Sequence, residues 1–182
     1  MRLKDSGCGG NLTIRSAKAE DMDAILKIYA HARSFMEQNG NPTQWGRHFP
    51  SKELLLEDIK AEQLYVIEEN GDIHGVFAFI IGEDKTYQRI ENGTWRSRAP
   101  YGTIHRIAGD GKVHGILGEA VAFCESKIPH LRIDTHVDNK VMRHSIEKAG
   151  FIECGTIYIE DGTPRIAYEK GCAAEHWMTQ FA

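Results

Sequence analysis

The stretch that most constrains this chain is residues 109–126, GDGKVHGILGEAVAFCES. Gly109, Gly111 and Gly115 stand among polar residues, and the run then becomes a smooth apolar helix. Residues 101–108 (YGTIHRIA) read as a strand leading into it, and residues 131–137 read as a strand after it. Glycines let a backbone come close to a ligand. The first N–H groups of a helix have no partner inside it and attract anions. On its residues alone the turn is a pocket for a diphosphate, with Lys112 supplying positive charge, or else a plain glycine-rich β–α turn. It is not a Walker loop, since the sequence lacks GxxxxGK[ST]. No early βαβ unit makes it a Rossmann GxGxxG turn either.

The other segments fill in around this unit. Residues 11–15 alternate as a strand. A helix is expected over about residues 20–38, with Ile25, Ile28, Tyr29, Ala32 and Met36 as its apolar stripe. Glu20, Asp21 and Asp23 complement its dipole, and Gly40-Asn41-Pro42 stops it. Ser51 opens a second helix of about ten residues with a soft boundary. Residues 64–68 and 73–81 are strands joined at Asn70-Gly71. Residues 82–100 form a long mixed loop of the kind that carries function. The helix after the glycine turn puts Leu117, Ala120, Val121 and Cys124 on one face and ends at Ile128, before Pro129. Asn139 caps a short helix that Gly150 closes, and residues 151–160 and 163–169 form a hairpin around Asp161-Gly162. The order β-α-α-β-β-β-α-β-α-β-β, with no repeat and no linker, predicts one α/β domain with a mixed sheet over residues 11–170. Residues 1–10 read as a flexible lead-in and residues 171–182 as a tail.

Length and charge narrow the function classes. A chain of 182 residues favours one domain. Its net charge of −4 argues against a nucleic-acid footprint, though a local site for an anionic ligand is compatible with it. Cys8, Cys124, Cys154 and Cys172 are scattered without CxxC spacing. Free thiols and a reducing cytoplasm are therefore expected rather than a disulfide or metal framework. No apolar run approaches the roughly 20 residues of a membrane span.

Among ionisable residues His105 stands out. Strand alternation puts Thr103, His105 and Ile107 on one face. An imidazole can take a proton from an ammonium substrate directly or through water. The alternative is a strand histidine satisfied by a neighbouring carboxylate. Asp134, His136 and Asp138 alternate and could bind a divalent metal. The polar end of a strand at a cleft mouth is the preferred reading, because metal sites draw ligands from more than one element. Trp45, Tyr87 and Trp95 either wall a substrate pocket or lid a small core. Arg96 and Arg98 read as solvated charges, Cys124 as an inert core thiol, and Tyr158 and Tyr168 as packing on the last hairpin.

The glycine turn is followed in order by Asn139-Lys140-Val141-Met142 and by Glu147-Lys148-Ala149-Gly150-Phe151. On these motifs the chain resembles the GNAT superfamily of acyl-CoA-dependent N-acetyltransferases over residues 12–170. Gln44-Trp45, Asp84-Lys85-Thr86-Tyr87, YGTIHR at 101–106 and DGTPR at 161–165 look like a bacterial subgroup of it. The resemblance implies an α/β fold with a mixed, mostly antiparallel sheet flanked by helices, its central strands splayed. It implies transfer of an acetyl group from acetyl-CoA to a primary amine of a small molecule or peptide. The co-substrate would lie between strands 103–108 and 131–137. The backbone at Ile107, Ala108 and Gly109 would hold the pantetheine and polarise the thioester. Lys112, Val113, His114, Gly115, Ile116 and Leu117 would receive the diphosphate, with Asn139 nearby. His105 would be catalytic, and Trp45, Tyr87 and Trp95 would meet the acceptor. No metal, nucleic acid or membrane partner is implied, and exposed strand edges suit a homodimer.

Two residues depart from the family pattern. Leu117 puts a bulky side chain where the diphosphate loop has a small one. Ile146 stands where many members carry a tyrosine general acid. A non-catalytic acyl-CoA-binding or sensing module is accordingly the alternative, and a protein-interaction domain without cofactor is the third reading.

Overall fold

The computed structural model describes residues 11–171; Cys8, Cys172, the expected lead-in and nearly all of the expected tail lie outside them. The strands are β1 (Thr13–Ser16), β2 (Leu64–Glu69), β3 (Asp72–Ile81), β4 (Gly102–Gly109), β5 (Leu131–Thr135), β6 (Ile152–Tyr158) and β7 (Pro164–Lys170). The helices are α1 (Met22–Gln38), α2 (Lys52–Lys60), α3 (Ile116–Glu125) and α4 (Lys140–Lys148), with 3-10 turns at Ala19–Asp21 and Lys85–Tyr87. Strands and helices follow the expected order.

Period-two alternation in β3 decides the layering. Val76 and Ala78 join a core with Ile25, Ile28 and Tyr29 of α1 and Leu55 of α2. Phe77 and Phe79 join a core on the opposite face with Val121 and Cys124 of α3 and Ile146 of α4. The sheet therefore carries α1 and α2 on one side, and α3 and α4 on the other. Its order is β1-β2-β3-β4-β5-β7-β6, antiparallel throughout except for the β4–β5 pair. That pair is parallel because α3 crosses over between the two strands. The two short turns form as their sequences demand: Asn70 and Gly71 both take positive φ, as does Gly162. No helix of the described residues is long and apolar enough to cross a membrane.

One irregularity positions the site. The β3–β4 register shifts between Val76, opposite Ala108, and Ala78, opposite His105. β4 thus carries an extra residue there, a β-bulge. Arg106 sits in it at φ 53°, a left-handed conformation that costs a non-glycine residue roughly 1 kcal/mol. Both helices on that side hold the bulge. Tyr29 of α1 donates its hydroxyl to the Arg106 carbonyl at 2.8 Å, and Asp58 of α2 takes the Arg106 guanidinium at 2.6 Å. The bulge also overturns the expected face-sharing of Thr103, His105 and Ile107. The extra residue flips the alternation, so Ile107 packs with Ile104 in the α3 core while Ala108 packs in the α1 core. Past Ile104, opposite Ile133, the β4–β5 pairing ends, although β4 runs on to Gly109.

Candidate active site

A cleft of about 1150 Å³ opens where β4 and β5 part. His105, Ile107, Ala108 and Gly109 of β4, Asp134 and Thr135 at the end of β5, and Met142 and Ser145 of α4 line it. One end reaches Gly111 and Val113 of the glycine turn. The 83–86 segment, the loop after α1 and the β6–β7 turn also contribute, through Asp84, Trp45 and Asp161 among others.

His105 lines the cleft from β4. Its Nε2 stands 2.9 Å from Asp84 Oδ2, and the side chain is 16% exposed. Burial opposes ionisation of Asp84, but hydrogen bonds from His105 and from the Thr86 hydroxyl and amide outweigh it and hold the carboxyl down to about 2. An ionised carboxylate only accepts, so whenever the ring is neutral its hydrogen sits on Nε2 and Nδ1 keeps its lone pair. Nδ1 bonds to no other described residue. A neighbouring carboxylate thus satisfies His105, and the side chain also lines the cleft. Asp84 was legible only as part of a motif. Its signal is local, an aspartate two residues before a threonine, whose side chain closes the turn on the Thr86 amide at 2.9 Å.

The glycine turn meets the physical requirements of an anion site. Gly115 is the N-cap of α3 at φ 85°, with no side-chain cap bond. The first helical bond of α3 runs from the Glu119 amide to the Gly115 carbonyl at 3.0 Å, leaving the amides of Ile116, Leu117 and Gly118 without helical partners. A side chain built on Gly115 or Gly118 would meet nothing within 4 Å, so both glycines face open space. Asp110 shapes the approach: Oδ1 accepts from the Lys112 amide at 2.9 Å and Oδ2 meets His74 Nδ1 at 2.9 Å. Lys112 is 77% exposed and His114 is exposed. Ile116 packs down between Gly75 and Gly109, where any larger residue would collide with it or crowd it. Leu117 turns its side chain into the α3 core instead of standing over the free amides.

The remaining expected residues divide. Asn139 borders the cleft, but its side chain is used within the protein: Oδ1 caps α4 through the Met142 amide at 3.2 Å, and Nδ2 bonds Gln44 Oε1 at 2.9 Å. Trp45 lines the cleft and packs edge-on against Tyr29 at 5.6 Å. Tyr87 and Trp95 do not join it there. They stack 5.5 Å apart and border a separate hollow of about 360 Å³. Tyr87 is buried, and its hydroxyl donates to Asp134 Oδ1 at 2.5 Å; burial beside Asp134 pushes that hydroxyl well above its ordinary pKa. Of the Asp134, His136, Asp138 run, Asp134 turns to Tyr87 and Arg165 while His136 meets Asp138. Arg96 and Arg98 are exposed and Tyr168 is buried as expected, whereas Tyr158 is 38% exposed and bonds Glu91. Ile146 is fully buried in the core. Gln44 joins three elements: its Oε1 accepts from Asn139 at the start of α4 and from the Thr135 hydroxyl of β5, and its backbone carbonyl accepts from Arg165 of β7 at 3.3 Å.

This architecture is that of the GNAT acetyltransferases. A GNAT family acetyltransferase from Streptococcus agalactiae superposes with a TM-score of 0.77 at 29% identity, over 89% of this chain and 96% of that one. A GNAT family acetyltransferase from Listeria monocytogenes matches at TM-score 0.63 and 18% identity, over 87% and 94%. The yncA protein of Salmonella typhimurium, solved with its cofactor acetyl-CoA, matches at TM-score 0.57 and 16% identity, over 94% and 99%. No protein-family model matches the sequence, and no curated protein does. The resemblance to GNAT acetyltransferases thus holds for the fold and for most of the chain's length.

Proposed function

We propose that the protein transfers an acetyl group from acetyl-CoA to a primary amine. The observation that carries this reading is the coincidence of two features on one cleft. The cleft takes in Gly111 and Val113, which lead to the uncapped α3 terminus, and the His105–Asp84 pair, which lies where β4 and β5 begin to part. The residues present fit the co-substrate. The amides of Ile116 to Gly118, with Lys112, suit a diphosphate. The edge of β4 from Ile107 to Gly109, paired on its β3 side but past the end of the β5 ladder, suits an extended pantetheine arm, and N–H groups on that edge can polarise a thioester carbonyl. Acetyl-CoA supplies the activated acetyl thioester. The acceptor arrives as an ammonium, and His105 Nδ1 removes its proton directly or through water. The amine nitrogen then bonds to the carbonyl carbon and the carbon–sulfur bond breaks. The nitrogen gives up a second proton, the sulfur takes one, and the net products are amide, CoA thiol and one proton. Holding both reactants in the cleft supplies much of the rate.

Ile146 favours a second reading, a non-catalytic acyl-CoA-binding module, because no hydroxyl stands at its position. Calorimetry with acetyl-CoA, followed by thiol release with a panel of amines, tests both. Binding with thiol release supports the enzyme, binding without release supports the sensor, and absence of binding rejects both.

A further inference from the structure

Phe35, Phe49 and Val141 remain 44%, 41% and 47% exposed, and all three border the same cleft. Single exposed apolar residues carry no message, but several gathered on one concave wall do. The Phe49 ring lies 6.3 Å from Trp45, which packs in turn on buried Tyr29. The end of α1 and the loop after it therefore present an aromatic wall anchored to the core.

The charges of the cleft lean negative, because its acids outnumber its cations. Glu83, Asp84, Asp134, Glu160 and Asp161 line it, against the cations Lys85 and Arg165. Arg106 also lines it, but Asp58 meets its guanidinium at 2.6 Å. Asp134 meets Arg165 at 3.8 Å, and Asp84 is committed to His105. Glu83, Glu160 and Asp161 form no ion pair with a described residue. Such a field draws in an ammonium and repels a carboxylate carried beside it.

Resting on the acetyltransferase reading above, we propose that the acceptor is a cationic amine with an aromatic or branched apolar body and no carboxylate near its nitrogen. The ammonium approaches His105 and Asp84 with Glu83 adding attraction, and the apolar body lies on Phe35, Trp45 and Phe49. Arg165 is no free anchor for a substrate carboxylate. Asp134 and the Gln44 carbonyl take its guanidinium, and burial lowers its pKa against the pull of Asp134 and Asp161.

The test compares phenethylamine, phenylalanine and ethanolamine as acceptors for the full chain with acetyl-CoA. Phenethylamine should exceed each of the others at least tenfold in kcat/KM. Equal or better use of phenylalanine overturns the charge argument, and equal use of ethanolamine overturns the aromatic wall. The surface double variant Phe35→Ser, Phe49→Ser should raise the KM for phenethylamine tenfold or more with the Kd for acetyl-CoA unchanged. If the acetyl-CoA Kd rises instead, the wall belongs to the co-substrate and the proposal fails. Acetyl-CoA binding with no transfer to phenethylamine also overturns it. A wild-type chain that does not bind acetyl-CoA rejects the underlying acetyltransferase reading, a separate failure seen in calorimetry alone.

Discussion

At the scale of single residues, the pairing of His105 with Asp84 makes separable predictions for activity and for stability. His105→Ala should lower kcat about 100-fold, the range for losing a positioned base. His105→Gln should be nearly as slow, because an amide keeps the shape but takes no proton, and the limb of the pH–rate profile that belongs to an imidazole should vanish. Acetyl-CoA affinity, measured by calorimetry, should hold in both. A variant that keeps wild-type kcat and that limb leaves His105 structural. Asp84 makes a different prediction. Its folded pKa of about 2 lies below the ordinary value of 3.8. A depressed acid stabilises the fold fully above its unfolded pKa and loses that contribution as pH falls through the folded one. Stability should therefore fall between about pH 4 and pH 2 in the native chain, and Asp84→Asn should flatten that part of a urea-midpoint profile. An unchanged slope there refutes the assignment.

At the scale of elements, the glycine turn and α3 form one device. Gly109 and Gly75 let Ile116 settle onto the sheet, and Gly115 leaves the helix start open. Gly115→Asp should place a carboxylate at the proposed anion site at a cost of about 1 kcal/mol for its left-handed backbone, so the fold should survive while acetyl-CoA affinity falls more than tenfold, about 1.4 kcal/mol. Unchanged affinity in calorimetry removes the diphosphate from this turn. The same element shows what was legible in the sequence. Strands, helices and turns follow from alternation, helical stripes and Asn-Gly or Asp-Gly pairs, because those signals act over a few neighbouring residues. The bulge at Arg106 was not legible. It depends on Tyr29 and Asp58, far away in the chain, which hold a backbone carbonyl and a guanidinium. The Asp84 partner of His105 and the Gln44 contacts were hidden for the same reason, being contacts between distant segments. Tyr87 and Trp95 were expected at the acceptor, but they stack on each other and lie beside the smaller hollow. An aromatic residue in a loop does not reveal from its type which cavity it will border.

At the scale of the whole molecule, the cleft exists because two halves of one sheet part, so something must keep them from parting further. Across the sheet, β4 and β5 share a ladder of Gly102 to Ile104 against Leu131 to Ile133. Directly beneath it lies a buried polar cluster. Glu169 of β7, 0% exposed, meets His130 at 2.6 Å and Arg132 at 3.2 Å. The Arg132 guanidinium lies 3.8 Å from the Trp95 ring and 3.9 Å from the Tyr101 ring, and it donates to the Ser97 carbonyl at 2.9 Å. The 82–100 segment is thereby fastened across both halves, and the Arg96 amide bonds Glu169 at 2.7 Å as well. Burying ions gains little by itself, but removing one partner leaves the other charge in a low dielectric without compensation. Glu169→Ala should therefore cost about 3–5 kcal/mol in urea unfolding. Glu169→Gln should recover part of this, since an amide oxygen still accepts from His130 or Arg132. Hydrogen exchange at Gly102 to Ile104 should speed up in the alanine variant, and it should do so more than exchange in β2, which lies away from the cluster. A loss below about 1 kcal/mol would mean that the ladder and the two hydrophobic cores hold the halves unaided. Exchange that quickened equally in β2 would mean that the cluster stabilises the fold as a whole without bracing the seam at which the cleft opens.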